Sequence, residues 1–128
     1  MFYTHIYNNK YLPAAPFVQV TIYSLNRPKM GLSIALLVDS GTDGTLLPKK
    51  IIKAIRARFL ETRMMGGITG PRVQVRAYLV SIEIGGYVIH GIRAAALEDD
   101  QEPILGRDVL NQLIVTLNGL GETIEIRD

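Results

Sequence analysis

Most of this sequence alternates apolar and polar residues with a period of two, and that rhythm limits the fold more than any other feature. Phe17-Val18-Gln19-Val20-Thr21-Ile22-Tyr23 is β-branched and alternating, as a strand with one buried face requires. The turn-like stretch Leu25 to Gly31 separates it from Leu32 to Val38, an apolar run that stops at Asp39-Ser40-Gly41. Arg72 to Arg76 alternates again, Tyr78 to Ile84 follows, and Gly85-Gly86 turns the chain into Tyr87-Val88-Ile89. Ile114 to Leu117, a turn at Asn118-Gly119 and a strand from Thr123 to Ile126 close the chain. The period changes substantially in one place. Between Pro48 and Leu60, Ile51, Ile52, Ile55 and Phe59 form one apolar stripe with Lys and Arg opposite, so a helix is expected there with Pro48 in its first turn. A second, shorter helical turn is expected at Val109 to Gln112. Short strands, Gly-rich turns and little helix imply a mostly β domain, barrel-like or sandwich-like.

With 128 residues and no internal linker, repeat or low-complexity tract, residues 1–128 are expected to form a single domain that needs no staples for its core. The chain has no cysteine, which excludes a disulfide scaffold, a thiolate metal site and cysteine nucleophilic catalysis. His5 and His90 lie far apart, so no metal and no cofactor are expected. His90 reads as a hydrogen-bonded or exposed strand residue, His5 as part of a loosely ordered N-terminal segment, and Met64 and Met65 as hairpin packing. The longest aliphatic run, Ile34 to Val38, falls far short of the roughly 20 residues that cross a bilayer. Without a visible signal peptide, the expectation is a soluble, cytoplasmic protein with no membrane partner.

Charge is unevenly spread. Lys49, Lys50, Lys53, Arg56, Arg58, Arg63, Arg72 and Arg76 face only Glu61 between positions 49 and 76, whereas Glu98-Asp99-Asp100-Gln101-Glu102 is purely acidic. The basic stretch reads as a solvated helix face and hairpin edge. A nucleic-acid partner is not expected, because the one aromatic residue there, Phe59, belongs to the apolar stripe rather than to a stacking platform.

Asp39-Ser40-Gly41 carries the chemistry. A carboxylate at the end of a buried strand, followed by a hydroxyl and a glycine, allows backbone amides close approach to the acid, while Ser40 could lock the loop through its hydroxyl. The tripeptide alone also makes ordinary turns. Its context is more specific: Leu36-Leu37-Val38-Asp39-Ser40-Gly41-Thr42-Asp43, then Met64-Met65-Gly66-Gly67-Ile68-Thr69-Gly70, then Ile104-Leu105-Gly106-Arg107-Asp108-Val109-Leu110. In order and spacing, from about Phe17 to Asn118, these resemble the retropepsins, the retroviral-type aspartic proteases.

The resemblance implies a closed β-barrel of the acid protease fold, with one short helix after the catalytic loop and one near the C-terminus. It implies that Asp39 is the catalytic aspartate, that Ser40 joins the loops of two subunits, and that Gly41 is the family's loop glycine. Asp43 would touch substrate backbone and pair with Arg107, which with Gly106 supports the loop. Leu37, Leu46, Ile104, Gly66, Gly67 and Ile68 would contact substrate, Ile68 from the tip of a flap. This chain also departs from the family. The extra strand Thr123 to Ile126 alters the dimer seam, the helix after Pro48 is longer, Thr69 replaces a small flap residue, and the acidic loop at Asp99 to Glu102 stands where viral enzymes carry apolar subsite residues. That loop leads to an expected preference for basic substrate residues near the cut.

Stoichiometry points to a homodimer independently. Hydrolysis by this chemistry needs two carboxylates sharing one proton, a behaviour for which the aspartic protease pair is itself the standard example, and the chain holds one Asp-Ser/Thr-Gly triplet. The second must come from another copy across a two-fold axis. The function expected is thus an aspartic endopeptidase acting on peptide or protein substrates; the alternative is a dimeric peptide- or partner-binding module with little turnover.

Overall fold

The computed structural model describes residues 2–66 and 70–128. In chain order the elements are β1 (Phe2–Ile6), β2 (Phe17–Ser24), β3 (Arg27–Val38), β4 (Leu46–Pro48), α1 (Lys49–Ala54), β5 (Arg58–Met65), β6 (Val73–Ile84), β7 (Tyr87–Leu97), β8 (Ile104–Leu105), α2 (Arg107–Leu110), β9 (Ile114–Asn118) and β10 (Thr123–Arg127). Alternation along β2 is visible in its burial: Val18, Val20 and Ile22 are buried while Gln19 is exposed. The large sheet runs β2-β3-β8-β4-β7-β6-β5, and β2 also pairs with β6. That second pairing, Thr21 to Ser24 against Glu83 to Val80, returns the ladder on itself and closes a barrel. Closure removes the edges of six strands, leaving β5 as an outer ribbon on β6. Two pairs are parallel, β3 with β8 and β4 with β7.

Ile22, Leu36, Leu47, Val80, Ile82, Ile84 and Leu105 fill the barrel interior and are fully buried. Each such side chain contributes about 1.5–3 kcal/mol of burial. The second sheet runs β1-β10-β9, and Ile124 and Ile126 of β10 join the same core. The terminal sheet is therefore packed onto the barrel, not appended to it.

Three expectations change. The β2–β3 turn is tighter than Leu25 to Gly31: Ser24 pairs with Arg27, so only Leu25 and Asn26 turn, and the surplus residues form a bulge in β3 opposite Tyr23. The helix does not run to Leu60. Ile52 and Ile55 are buried on its stripe, but α1 ends at Ala54, and Arg56 takes a left-handed φ of 55°. There Ala57 N donates to Ile52 O and Arg56 N to Lys53 O, a closed C-terminal cap. Phe59 instead lies in β5 opposite Tyr78, and its ring is exposed beneath the Arg76 guanidinium, 4.0 Å from the ring centroid. Finally, His5 is not in a loose segment: β1 pairs along its length with β10, His5 opposite Ile124. His90 is hydrogen-bonded as expected, to Ser81 Oγ at 2.9 Å.

Candidate active site

Strand β3 delivers Asp39 to the barrel end. Val38 pairs with Leu105 in parallel register, and Asp39 N donates to Leu105 O at 3.2 Å, so the strand ladder fixes the acid's backbone. The loop that follows is organised around the carboxylate. Gly41 N donates to Asp39 Oδ1 at 2.8 Å, and Thr42 Oγ1 donates to Asp39 Oδ2 at 2.9 Å. A Cβ on Gly41 would sit 3.0 Å from Asp39 Oδ1, tighter than most Cβ contacts, so a side chain here would push the carboxylate back by a few tenths of an ångström. Both carboxylate oxygens are thus oriented by their own loop.

The loop is held from below by the segment around α2. Arg107 Nη1 donates to Ser40 O at 2.7 Å, and Arg107 N donates to Thr42 O at 3.0 Å. Gly106 permits the approach, because a Cβ there would lie 2.4 Å from the Gly44 backbone. Buried Thr45 ties the two segments together: its Oγ1 donates to Asp108 Oδ1 at 2.7 Å and accepts from Gly106 N at 3.2 Å, while Thr45 N donates to Asp108 Oδ2 at 3.0 Å. Asp108 is committed to this network.

Two local expectations need correction. Arg107 does not pair with Asp43; its guanidinium is spent on the Ser40 carbonyl. Asp43 Oδ2 instead lies 3.6 Å from Arg72 Nη1, and Asp43 Oδ1 is buried without a hydrogen-bond partner among the described residues. Nor does Ser40 lock its own loop: Thr42 does so, and Ser40 is exposed with its carbonyl held.

Leu37, Ile104 and Leu46 lie side by side, Leu37 opposite Ile104 and Ile104 opposite Leu46. Next to the loop is a cleft of about 200 Å³, lined by Thr42, Leu46, Met65, Gly66, Val73 and Leu97 among others. The structure therefore brings Leu46 and Gly66 together on one cleft. Gly67 and Ile68, with Thr69, lie outside the described residues. Met65 is buried and Met64 exposed.

The acidic loop is engaged by local partners. Glu98 pairs with Lys49 Nζ, Asp99 Oδ1 accepts from Lys50 N at 3.0 Å at the start of α1, and Glu102 is hydrogen-bonded by the Tyr11 hydroxyl. Glu98 in turn holds the Lys49 ammonium above the usual lysine pKa. Glu98 alone meets a cation among the described residues; Asp99 and Glu102 accept neutral donors, so the loop keeps a negative charge at this rim.

Sequence reasoning misses Thr42, Thr45, Asp108 and Arg72. For Thr42 a signal exists, since an acid followed three residues later by a hydroxyl favours a local side-chain hydrogen bond. Thr45 and Asp108 are 63 positions apart, and no local pattern links them. Among the described residues no group of three or more His, Cys, Asp or Glu could hold a metal ion, and no helix is long and apolar enough to cross a membrane.

Comparison with known proteins bears on this geometry. The chain resembles the EIAV protease complexed with the inhibitor HBY-793, with 25% identity, a TM-score of 0.57, and 77% of this chain and 86% of that one covered. It shares its fold with a retropepsin-like aspartic protease from Rickettsia conorii, at 14% identity and a TM-score of 0.64, over 98% of this chain and 91% of the other. The search of curated proteins found no match. Residues 19–109, which run from β2 through the Asp39 loop to α2, match the family described as aspartyl protease, and the chain belongs to that family.

Proposed function

We propose that residues 1–128 form one lobe of a homodimeric aspartic endopeptidase, in which water is activated between two Asp39 carboxylates, one from each subunit. One observation carries this reading: each chain offers a single Asp39 whose two oxygens are oriented by Gly41 N and Thr42 Oγ1, half of a dyad that is complete only with a second copy. In the pair, the ionised carboxylate takes a proton from water as its oxygen attacks the peptide carbonyl carbon. The protonated partner gives its proton to the carbonyl oxygen, and collapse of the tetrahedral intermediate passes a proton to the leaving nitrogen.

Further features support it. The Ser40 side chain is exposed at the loop, where a partner's loop would meet it. Asp43 Oδ1 is buried and lacks a partner among the described residues; a shift of its side chain would free it to accept a substrate backbone N–H. The cleft of about 200 Å³ is smaller than the usual ligand pocket of about 300–1,000 Å³, as one half of a shared site would be. Leu37, Leu46 and Ile104 would favour apolar side chains at the cut bond, and the β5–β6 hairpin would close over the peptide as a flap. Exposed Phe2, Ile114 and Leu117 on the terminal sheet supply apolar surface for the dimer seam.

The test is digestion of a denatured protein mixture across acidic to neutral pH, with and without a pepstatin-type inhibitor, read by mass spectrometry. Fragments cut between apolar residues, and lost with the inhibitor, support the proposal. Intact proteins under all conditions, with peptides retained by the dimer, favour the binding-module reading.

A further inference from the structure

A groove of about 490 Å³ lies beside α1, rimmed by Lys49, Lys53, Arg56 and Arg76 over a floor that includes Tyr78 and Ala96. No acid lines it. Lys49 is shared with Glu98, but Lys53, Arg56 and Arg76 have no carboxylate partner among the described residues. Arg76 is fixed nonetheless: its guanidinium stacks over Phe59 and its Nε donates to the Tyr78 hydroxyl at 3.2 Å. A planar cation held in place without an anion is prepared to take a carboxylate, since little side-chain freedom remains to be lost.

The groove and the cleft beside Thr42 are linked through lining residues shared with a third depression, which Glu98 also lines. This depression, of about 360 Å³, shares Lys49, Arg76 and Ala96 with the basic groove. It also shares Val73, Val75, Ala96 and Leu97 with the cleft beside Thr42. Both arms of the connection arise from the chain path: β4 runs from Leu46 in the cleft into Lys49, and β6 from Val73 and Val75 into Arg76. An extended chain seated in the cleft would therefore reach the cations. Continuity favours the substrate itself over nucleic acid: Tyr78 lines the groove, but its hydroxyl accepts from Arg76 Nε, and the neighbouring Phe59 ring is covered by the Arg76 guanidinium.

Resting on the peptidase reading, we propose that this groove is an exosite for substrate carboxylates: the enzyme selects polypeptides in which an apolar cleavage site is flanked, beyond the bond-adjacent residues, by a cluster of Asp or Glu. The contacts are solvent-exposed, so the preference is electrostatic, moderate and salt-sensitive. It is opposite in sign to the basic preference expected from the acidic loop, where Glu98 pairs with Lys49 Nζ, Asp99 accepts from the Lys50 backbone N and Glu102 accepts from the Tyr11 hydroxyl.

Two matched peptides test it, sharing one apolar cleavage site and differing only in an outer block of Glu or of Gln, placed on either side in separate pairs. At about pH 6 the Glu block is ionised. In low salt the Glu peptide of one pair should show a kcat/KM about ten-fold above its Gln counterpart, and the ratio should shrink towards one in high salt. The double variant Lys53→Gln, Arg56→Asn should lower that ratio to about three-fold or less; asparagine suits the left-handed backbone at position 56. Lys53→Gln alone, at an exposed helix position, provides a second reading if the double variant melts early. Equal cleavage of Glu and Gln peptides in every pair overturns the exosite and leaves the peptidase intact. If neither peptide is cut, the peptidase reading fails, and fluorescence anisotropy of the labelled peptides on the intact protein decides the groove: tighter binding of the Glu peptide, weakened in the double variant, retains it, and equal binding removes it. A single-stranded oligonucleotide that displaces the Glu peptide with higher affinity at the same ionic strength assigns the groove to nucleic acid and overturns the proposal.

Discussion

At the scale of single residues, the geometry of the Asp39 loop depends on a few closely placed atoms. Asp39→Asn retains shape but removes the charge on which the chemistry depends, so cleavage should fall to no more than a few per cent while circular dichroism and dimerisation are preserved. Thr45→Val should lower unfolding free energy by about 1–3 kcal/mol in a urea titration, because the Gly106 amide and an Asp108 oxygen lose their buried partner. Gly106→Ala places a methyl 2.4 Å from the Gly44 backbone, and it should cost at least as much by overpacking of about 1–3 kcal/mol. The glycine constraints at Gly41 and Gly106 make this part of the site legible, since Asp-Ser-Gly and Gly-Arg mark places where backbone must approach backbone or carboxylate. The Thr45–Asp108 link is not legible, because nothing local joins residues that meet only through the barrel. For Arg107, the sequence announces a cation near the loop but not which oxygen it serves; the Ser40 carbonyl and the nearby Asp43 carboxylate look alike at that level.

At the scale of elements, period-two alternation identifies the barrel strands because each has one face against the core. Where it fails, a longer-range partner decides the outcome. The terminal strand β1 alternates in burial, but with Tyr3 and His5 turned inward and apolar Phe2 and Ile6 exposed, and it is defined by β10, more than a hundred positions later. Apolar periodicity overextends the helix after Pro48 because its end is closed by Arg56 in a left-handed conformation, with no glycine to announce the stop. Downstream, pairing of Arg58 and Phe59 with β6 and the stacking of Arg76 on Phe59 draw the chain into a strand. Arg56→Gly should accordingly raise unfolding free energy by about 0.5 kcal/mol, the relief of a left-handed Cβ outweighing glycine's extra unfolded-state freedom; a fall in stability would show that the Arg56 side chain contributes more than its backbone costs. In the terminal sheet, Leu117 is 55% exposed on β9, an outer strand. Leu117→Lys should shift the protein from dimer to monomer in sedimentation velocity and reduce activity in parallel. Unchanged sedimentation would place the seam elsewhere.

At the scale of the whole molecule, the barrel supplies the frame and the α2 segment fixes the loop to it; in the proposed function a second copy completes the chemistry. Activity should be bell-shaped in pH with its maximum on the acidic side, since one proton must leave the pair and one must stay; a rate climbing steadily through about pH 8 would contradict a carboxylate dyad. The claim that each active site takes one Asp39 from each of two chains has a more direct test. Parent protein is refolded together with a roughly nine-fold excess of Asp39→Asn protein, and peptide cleavage is compared with the same amount of parent refolded alone. Random assembly leaves only about one parent chain in ten with a parent partner, so activity should fall to about a tenth. Activity that stays at the level of the parent alone, with mixed dimers present, would mean that a single Asp39 suffices and that the shared dyad is wrong.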